Sequence, residues 1–238
     1  MNLTNNMKDL AENLGADFFG VADLAPAHEA ILLQGGATVA GFPRAIALGV
    51  RLFDPIVDLL PQRAERAVAV AYKHHCYHQI NERLDQIASR LSSVLQRDGH
   101  KVFPIPASQR VDDEHLCAMF SHKLAAYLAG LGWIGKSCLL VTPEVGPRAR
   151  WTTILTDAPL TVTGKPMEVQ CGDCHQCVDI CPTRAFTGKN FRACDPRDVR
   201  YDAAKCDRYF NQMRQKHDWA VCGLCLYVCP HGRKNDKD

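Results

Sequence analysis

The sequence predicts a protein of the α+β class in which a mixed helix and strand segment precedes a cysteine-rich segment. Over the first 165 residues, apolar side chains follow helical spacing in some stretches and strand spacing in others. Near residues 164–166 the composition changes to Cys, Asp, Arg and Lys, with few long apolar runs. We therefore predict an α+β cofactor or substrate domain over residues 1–165 and a second domain over residues 166–238.

Individual elements are predicted from the same patterns. Apolar residues that recur every three or four positions predict helices over residues 4–14, 79–97 and 115–129. Short apolar runs predict strands over residues 18–24, 67–72, 137–141 and 151–155, and residues 101–106 form an extended segment. The pattern of the second helix is the clearest, because six apolar residues share one face: Ile80, Leu84, Ile87, Leu91, Val94 and Leu95.

Charge and hydropathy exclude several classes of protein. The 28 Lys and Arg residues nearly balance the 26 Asp and Glu residues, giving a formal net charge of +2, which does not suggest a protein that wraps nucleic acid. No apolar run approaches the roughly 18 residues of a membrane span. The first residues have neither the basic region nor the apolar region of a secretion signal. We expect a cytoplasmic location.

The cysteines carry most of the functional information. Of the 12 cysteines, nine lie between Cys171 and Cys229, and three lie in the first 170 residues. A disulfide framework requires an oxidising compartment, which the N-terminal sequence does not indicate. In a reducing compartment, so dense a group of cysteines is typical of metal ligands.

The first cysteine motif has the spacing of bacterial ferredoxins, C-x2-C-x2-C-x3-C-P. Its members are Cys171, Cys174, Cys177, Cys181 and Pro182. In ferredoxins of this type, three cysteines bind one cubane cluster and the fourth binds the other cluster. The two-residue gaps let one tight loop direct three thiolates at one cluster, and the longer gap with its proline turns the chain away.

The second motif repeats the C-x2-C-x3-C-P ending but takes its first cysteine from far upstream. Crossed ligation then gives two complete sets of four thiolates. The first set is Cys171, Cys174, Cys177 and Cys229, and the second is Cys181, Cys206, Cys222 and Cys225. Cys194 is the alternative to Cys206 as the distant ligand. A four-cysteine zinc site is the alternative to clusters, but it leaves Cys177, Cys181, Cys229 and both prolines without a role.

A glycine-rich turn, GLGWIGK at residues 130–136, matches G-x-G-x-x-G. A dinucleotide site needs a strand before this motif and a helix after it, and here the predicted order is reversed. We interpret the turn as a glycine-rich helix exit in which Gly130 or Gly132 has a positive φ. Lys136, which follows it, is a candidate for binding a phosphate or carboxylate.

Five segments together resemble the epoxyqueuosine reductase family. In chain order they are GLGWIGK (130–136), LTDAPL (155–160), CGDCHQCVDICPT (171–183), DAAKCDRY (202–209) and CGLCLYVCP (222–230). The N-terminal LGADFFGVADL is similar to the opening helix and strand of that family, so the resemblance covers nearly the whole chain. The family pattern D-x-x-x-C-x-x-Y favours Cys206 over Cys194 as a cluster ligand.

The resemblance implies a nitroreductase-like domain that binds base-off cobalamin, followed by a dicluster ferredoxin-like domain with two 4Fe-4S clusters. An external low-potential donor of the ferredoxin or flavodoxin type would supply electrons through the clusters to cobalamin, which would reduce a small or nucleoside-like substrate. Such an oxidoreductase is related to the reductive dehalogenases. The resemblance also implies that Lys136, Leu140, Trp151 and Thr153 contribute to the cofactor site.

Two departures from the family pattern affect the substrate. The family's catalytic Asp aligns with Leu116, so Asp112 or Asp113 is the candidate proton donor, and a Glu-Arg pair of the family corresponds to His122-Lys123. The family continues into helical repeats that help to bind tRNA, whereas this sequence ends eight residues after Pro230. The resemblance therefore implies a short form for which tRNA is a disfavoured partner.

Two other functions fit the sequence. The chain could be an electron-transfer protein that reduces a corrinoid held by a partner protein and has no substrate of its own. It could instead combine the clusters with a flavin. Residues 184–216 contain nine Lys or Arg and four Asp, which indicates a solvated surface or the binding site of an anionic partner.

Overall fold

The structure, a computed structural model, describes residues 2–216 and 219–233 and divides into two compact units. The sheet unit consists of Met1–Val50, Ile80–Gly132 and Arg150–Met167. The cysteine unit consists of Arg51–Gln79, Trp133–Ala149 and Glu168–Asp238. Among the described residues, no helix combines the length and the apolar character that crossing a membrane requires.

These units are not the two consecutive segments that the composition predicts. The last change of unit, between residues 167 and 168, lies close to the predicted boundary, but residues 51–79 and 133–149 also belong to the cysteine unit. Arg148 shows how these two segments are joined. Its side chain is only 3% exposed and pairs with Asp54 at 3.2 Å and Asp58 at 2.7 Å, while its carbonyl accepts a hydrogen bond from the Leu52 amide.

The sheet unit is built on a four-stranded sheet with the order β1-β2-β6-β3. Its strands are β1 (Phe18–Asp23), β2 (Arg44–Arg51), β3 (Val102–Ile105) and β6 (Ala149–Thr156). β1 runs antiparallel to β2, and β3 runs antiparallel to β6. The central strands β2 and β6 are buried along most of their length, as expected for the middle of a covered sheet.

Four helices accompany this sheet: α1 (Leu3–Asn13), α2 (His28–Ala40), α5 (Ile80–Arg97) and α6 (His122–Leu128). α1 and α6 pack against β1, and α5 packs against β3 and α1. The predicted apolar face of α5 is confirmed, since Ile80, Leu84, Ile87, Leu91 and Leu95 are buried. Their burial anchors the long helix on the sheet, and Val94 at the edge of that face is half-buried.

The cysteine unit consists mostly of short elements, with α8 as its one long helix among the described residues. Its helices are α3 (Asp54–Asp58), α4 (Arg66–Ala71), α7 (Gln176–Asp179), α8 (Ala203–Lys216) and α9 (Leu224–Tyr227). A π-helix, Tyr72–Gln79, continues directly from α4. The strands β4 (Trp133–Ile134) and β5 (Leu140–Val141) form a hairpin. The hairpin follows α6 directly, which confirms the predicted order around the glycine-rich turn, where Gly130 has a φ of +77°.

The predicted strand over residues 67–72 is wrong, because this segment is α4 and the start of the π-helix. Buried Ala69, Tyr72 and Cys76 follow one another at intervals of three and four, and Val68 lies four residues before Tyr72, which is helical spacing. In so short a run, alternating Ala and Val residues fit the apolar pattern of a strand as well as that of a helix. Residues 28–40 and 44–51, which the sequence analysis left unassigned, form α2 and β2.

Two predicted elements are shorter in the structure because a residue adopts a left-handed backbone. The predicted helix 115–129 begins only at His122, since Leu116 has a φ of 52° and its neighbours form turns. The predicted strand 137–141 is reduced to Leu140–Val141, since Cys138 has a φ of 55° within the hairpin turn. Both residues are non-glycine, so their turns are not recognisable from composition.

His122 begins α6 and links it to β6 and to the loop after β3. Its Nε2 donates to the carbonyl of Pro106 at 3.1 Å, and its Nδ1 accepts from the Thr153 hydroxyl at 3.0 Å. Burial lowers the pKa of His122 to about 4, and the positive charges of Arg150 and Lys123 lower it further. The imidazole is therefore neutral at physiological pH, and both of its nitrogens have partners.

We expect His122 to make the protein less stable in mild acid. The unfolded histidine takes up a proton near its usual pKa of about 6.5, whereas the folded one resists protonation down to about 4, so stability falls as the pH drops through this window. Between pH 7 and pH 5 the expected loss is about 1–2 kcal/mol. Urea unfolding of the wild type and of His122→Gln at both pH values measures it. Identical pH dependence in the two proteins would contradict this role.

Candidate functional site

The first cysteine loop is shaped by a few backbone turns. Gly172 has a φ of 47°, and the Cys174 amide donates to the carbonyl of Cys171 at 2.9 Å, so that the chain reverses between the first two cysteines. α7 then carries Cys177, and the Cys181 amide donates to the carbonyl of Val178 as the helix ends. This local fold is what the two-residue and three-residue gaps predict.

Four thiols of this region form one group, which we call the first thiol set: Cys171, Cys174, Cys177 and Cys229. Burial raises the pKa of Cys177 to about 12, and the neighbouring charges of Cys171, Cys229 and Cys174 raise it further. Burial likewise raises the pKa of Cys229 to about 11, with Cys171 and Cys174 beside it. All four thiols line a single small cavity.

The remaining predicted ligands form the second thiol set: Cys181, Cys206, Cys222 and Cys225. Burial raises the pKa of Cys225 far above its usual value, and the charges of Cys222, Cys206, Cys177 and Cys181 add to the effect. The pKa values of Cys206 and Cys222 are also raised, mainly by burial. Because the charge of Cys177 contributes to the raised pKa of Cys225, the two sets lie close together.

The donor chemistry of the sets fits iron–sulfur clusters. Four crowded, half-buried thiols are costly to ionise, because burial and mutual repulsion both disfavour the thiolate form. The positive charge of an iron–sulfur core offsets this cost when the thiolates bind to it. The alternative of a four-cysteine zinc site stays an interpretation of the sequence, since two complete sets of four thiols offer more ligands than one zinc ion takes.

Cys206 and Cys194, the two candidates for the distant ligand, lie in different surroundings. Cys206 faces Cys222 and Cys181, and the Tyr201 hydroxyl donates a hydrogen bond to it. Cys194 is exposed, and its sulfur lies 3.8 Å from a carboxylate oxygen of Asp195. The structure thus places Cys206, not Cys194, among the thiols of the second set.

Lys136 lies against the first cysteine loop and is only 4% exposed. Its ammonium group donates to the carbonyls of Gly172 at 2.8 Å and Cys174 at 3.1 Å, and it lies 3.3 Å from Nε2 of His175. These contacts do not test the prediction that Lys136 binds a phosphate, a carboxylate or a cofactor. They show a buried cation that holds the loop of the first thiol set.

Polar side chains beside the second thiol set were not singled out from the sequence. Arg63 donates a hydrogen bond to Cys222, and its positive charge favours the thiolate form. Tyr201, which donates to Cys206, stacks on Phe186 with 5.2 Å between the ring centroids. Neither residue belongs to a cysteine motif, and Arg63 lies more than 150 positions away from its partner, so sequence spacing alone does not reveal them.

The candidate proton donors Asp112 and Asp113 lie in the loop before α6. The Asp112 carboxylate accepts hydrogen bonds from the amides of Glu114 and His115 and lies 2.7 Å from Nδ1 of His115. The hydrogen bond from the His115 amide is the main cause of its lowered pKa. Asp113 is 95% exposed and pairs with Arg110 at 3.6 Å. A lowered pKa is the opposite of what proton donation at neutral pH favours.

The other predicted cofactor residues are buried against protein atoms. Trp151 packs on Phe18, with ring centroids 5.3 Å apart, and its ring covers Gly49. Thr153 is fully buried and bonded to His122. Leu140 is buried in the β4–β5 hairpin of the cysteine unit. Trp151 and Thr153 are two positions apart on β6 and share a face, whereas Lys136 and Leu140 lie in the other unit.

Comparison with known proteins agrees with this arrangement. The family model described as a 4Fe-4S double cluster binding domain matches residues 170–232. An epoxyqueuosine reductase of Pseudomonas aeruginosa is 29% identical over 242 residues, which cover 92% of this chain and 60% of that protein. Its counterpart in Cellulophaga algicola is 32% identical over 174 residues, covering 68% of this chain and 50% of that protein. The chain thus spans half to three fifths of these relatives.

Solved structures share the fold. A reductive dehalogenase, described with a mechanism for B12-dependent dehalogenation, superposes with a TM-score of 0.71 at 21% identity, covering 96% of this chain and 31% of that one. An epoxyqueuosine reductase with an epoxyqueuosine-modified tRNA-Tyr stem loop gives a TM-score of 0.62 at 19% identity, covering 97% and 65%. These likenesses confirm the predicted α+β fold class.

The sequence motifs, the two thiol sets and the comparisons lead to one assignment. The resemblance predicted from five sequence segments is confirmed by curated relatives that match both inside and outside the cysteine motifs. Residues 170–232 form a 4Fe-4S double cluster binding domain, and the chain as a whole is similar to the epoxyqueuosine reductases and has the fold that they share with the reductive dehalogenases.

Proposed function

We propose that this protein is an iron–sulfur oxidoreductase of the epoxyqueuosine reductase type, in which two 4Fe-4S clusters deliver electrons to cobalamin. The first thiol set would hold one cluster and the second thiol set the other. Cobalamin, when bound, would supply the strongly reducing cobalt centre that acts on a small or nucleoside-like substrate. The electron donor would be a low-potential protein of the ferredoxin or flavodoxin type.

The observation that carries this proposal is the proximity of the two thiol sets. Cys177 of the first set raises the pKa of Cys225 of the second, so the sets are close enough for their charges to interact. Two clusters in neighbouring sites form a path for single electrons through the protein. An isolated structural metal site has no need of a second, adjacent set of four thiols.

The residues around the thiol sets support electron transfer in two ways. Hydrogen bonds from Tyr201 and Arg63 to the ligands of the second set stabilise negative charge on sulfur, and such bonds help to set the reduction potential of a cluster. The buried ammonium group of Lys136 holds the loop of the first set by its carbonyls. These side chains orient the cluster ligands and replace water around them.

Cobalamin enters the proposal from the likeness to relatives, and the predicted contact residues fit it less well than the thiols fit clusters. The side chains of Trp151, Thr153 and Leu140 are buried against protein atoms, and Lys136 is bonded to two carbonyls. A corrinoid would therefore meet other groups of the chain or the backbone of these strands. We propose that these four residues support the surrounding structure rather than contact the corrinoid with their side chains.

The same observations favour a second function, an electron-transfer protein that reduces a corrinoid in a partner protein. Asp112 has a lowered pKa and Asp113 is almost fully exposed, so neither has the environment of a dedicated proton donor. A carrier of this kind needs the two clusters but no catalytic acid. In this second function the partner is a corrinoid protein rather than tRNA.

Metal and corrinoid analysis of anaerobically purified protein decides between these functions. Both predict about eight irons per chain, and the first also predicts about one cobalt retained after addition of hydroxocobalamin and gel filtration. Retained cobalt supports the reductase. Eight irons without retained cobalt support the electron-transfer protein. A chain with about one zinc and no iron would contradict both, and a flavin spectrum would point to a flavin enzyme.

Replacement of the distant ligand tests the assignment of the second thiol set. Cys206→Ser should reduce the iron content from about eight to about four per chain, because one cluster loses a ligand while the other keeps all four. Cys194→Ser is the matched control and should retain all the iron, since Cys194 is exposed beside Asp195. Loss of iron from the Cys194 variant alone would reverse the assignment.

Removal of the Lys136 charge should weaken the first cysteine loop. In Lys136→Met, the carbonyls of Gly172 and Cys174 lose a donor, and we expect a loss of about 2–3 kcal/mol in the free energy of unfolding. The loss of a buried positive charge should also lower the potential of one of the two clusters in a redox titration followed by EPR. Lys8→Met, at an exposed site of α1, is the control and should change neither quantity. An unshifted potential in the Lys136 variant would show that its charge does not act on a cluster.

A further inference from the structure

Next to the second thiol set, the cysteine unit presents a helical face with an excess of positive charge. Residues 63–79 contain the cations Arg63, Arg66 and Lys73 and one acid, Glu65, together with three histidines. Arg66, Val70, Lys73 and His74 follow the spacing of one helix face. With His78 and Trp219 they line a groove of about 200 Å³. We call this surface the basic groove.

The basic groove is directly connected to the second thiol set. The turn that precedes it packs against the cysteine loop, since Leu60 and Tyr72 are the nearest side chains to Gly223, between Cys222 and Cys225. Arg63, three residues before Arg66 in the turn that precedes α4, donates a hydrogen bond to Cys222. The segment that lines the groove therefore also contacts the cysteine loop and bonds to a cluster ligand.

Exposed apolar residues accompany the charges. Among the large apolar side chains that the structure describes as exposed, four lie within residues 51–79: Phe53, Leu59, Val70 and Tyr77, with exposures of 50%, 42%, 51% and 37%. A contiguous exposed apolar patch marks an interaction surface, and Val70 of these four lines the groove itself. The guanidinium group of Arg66 makes a cation–π contact with Trp219, at 5.5 Å from the ring centroid.

We propose that the basic groove is the docking surface of a small, acidic, one-electron carrier protein, which delivers electrons to the second cluster. This inference rests on the proposed function. Opposite charges steer the encounter and the apolar side chains supply a small contact area, as in short-lived redox complexes. In each encounter the carrier loses one electron and the cluster gains it, and no bond or proton is exchanged.

A nucleic acid is the other class of partner that basic and aromatic side chains can bind. The position of the groove favours the carrier, because binding of RNA gains nothing from a surface that is connected to a cluster ligand. The charge excess of residues 63–79 is also only two when the histidines are neutral. A surface that binds along a phosphate backbone at physiological salt needs more cationic side chains than this segment has.

Charge reversal tests the proposal on the whole 238-residue chain with both clusters loaded. The variant Arg66→Glu/Lys73→Glu is mixed in a stopped-flow instrument with chemically reduced flavodoxin as the probe, and cluster bleaching is followed. We expect the second-order rate constant at low ionic strength to fall at least tenfold and its salt dependence to weaken. Arg90→Glu, at an exposed position of α5 in the sheet unit, is the matched control and should react like the wild type.

Titanium(III) citrate, a small reductant that needs no docking surface, separates the possible failures. Reduction of the wild type and the variant by this reagent at equal rates, together with unchanged iron content, shows that the clusters are intact. If flavodoxin then reduces the variant as fast as the wild type, the docking proposal is overturned. If titanium citrate bleaches no clusters even in the wild type, the proposed function itself fails. Binding of a tRNA transcript that the charge reversal abolishes, with flavodoxin reduction unaffected, would assign the groove to RNA.

Discussion

The crowding of eight thiols in a small part of the protein is the constraint on which the rest of the structure depends. Burial and mutual repulsion raise the pKa values of Cys177, Cys225 and Cys229, so the thiol sets are poor sites for free thiolates. A cationic cluster removes this conflict and couples its own binding to the order of the loops. Other residues of the cysteine unit support cluster binding. Arg63 donates a hydrogen bond to a ligand, and the buried ammonium group of Lys136 holds the loop of the first thiol set.

The sequence predicted the thiol sets well because ligand spacing is a local property. Two-residue and three-residue gaps determine a loop almost independently of its surroundings, and the structure brings together the same two sets of four thiols. The amphipathic helix α5 was predictable for a similar reason, since burial of one face leaves a regular apolar pattern. The family resemblance added the choice of Cys206, which spacing alone left open.

Other features depend on tertiary contacts that leave no local pattern. Alternating Ala and Val over residues 67–72 suits a strand or a helix, and packing of Val68, Ala69 and Tyr72 selected the helix. Composition placed one domain boundary near residue 165, but Arg148 and its two aspartates join separate segments into one unit. The sequence shows His122 only as a departure from the family's Glu-Arg pair, and the fold reveals its bonds to Pro106 and Thr153.

The order of these segments along the chain has a consequence for how the protein is made. All eight thiols of the two sets lie in residues 171–229, whereas Arg63, Lys136 and the β4–β5 hairpin precede them. During synthesis the ribosome therefore delivers the supporting parts of the cysteine unit before it delivers the ligands. Clusters are therefore inserted late, when the segments that support their ligands, the scaffold of the unit, have already been synthesised. A fragment that begins at residue 166 has every ligand but lacks that scaffold, so we expect it to depend on the cell's assembly machinery more heavily than the whole 238-residue chain.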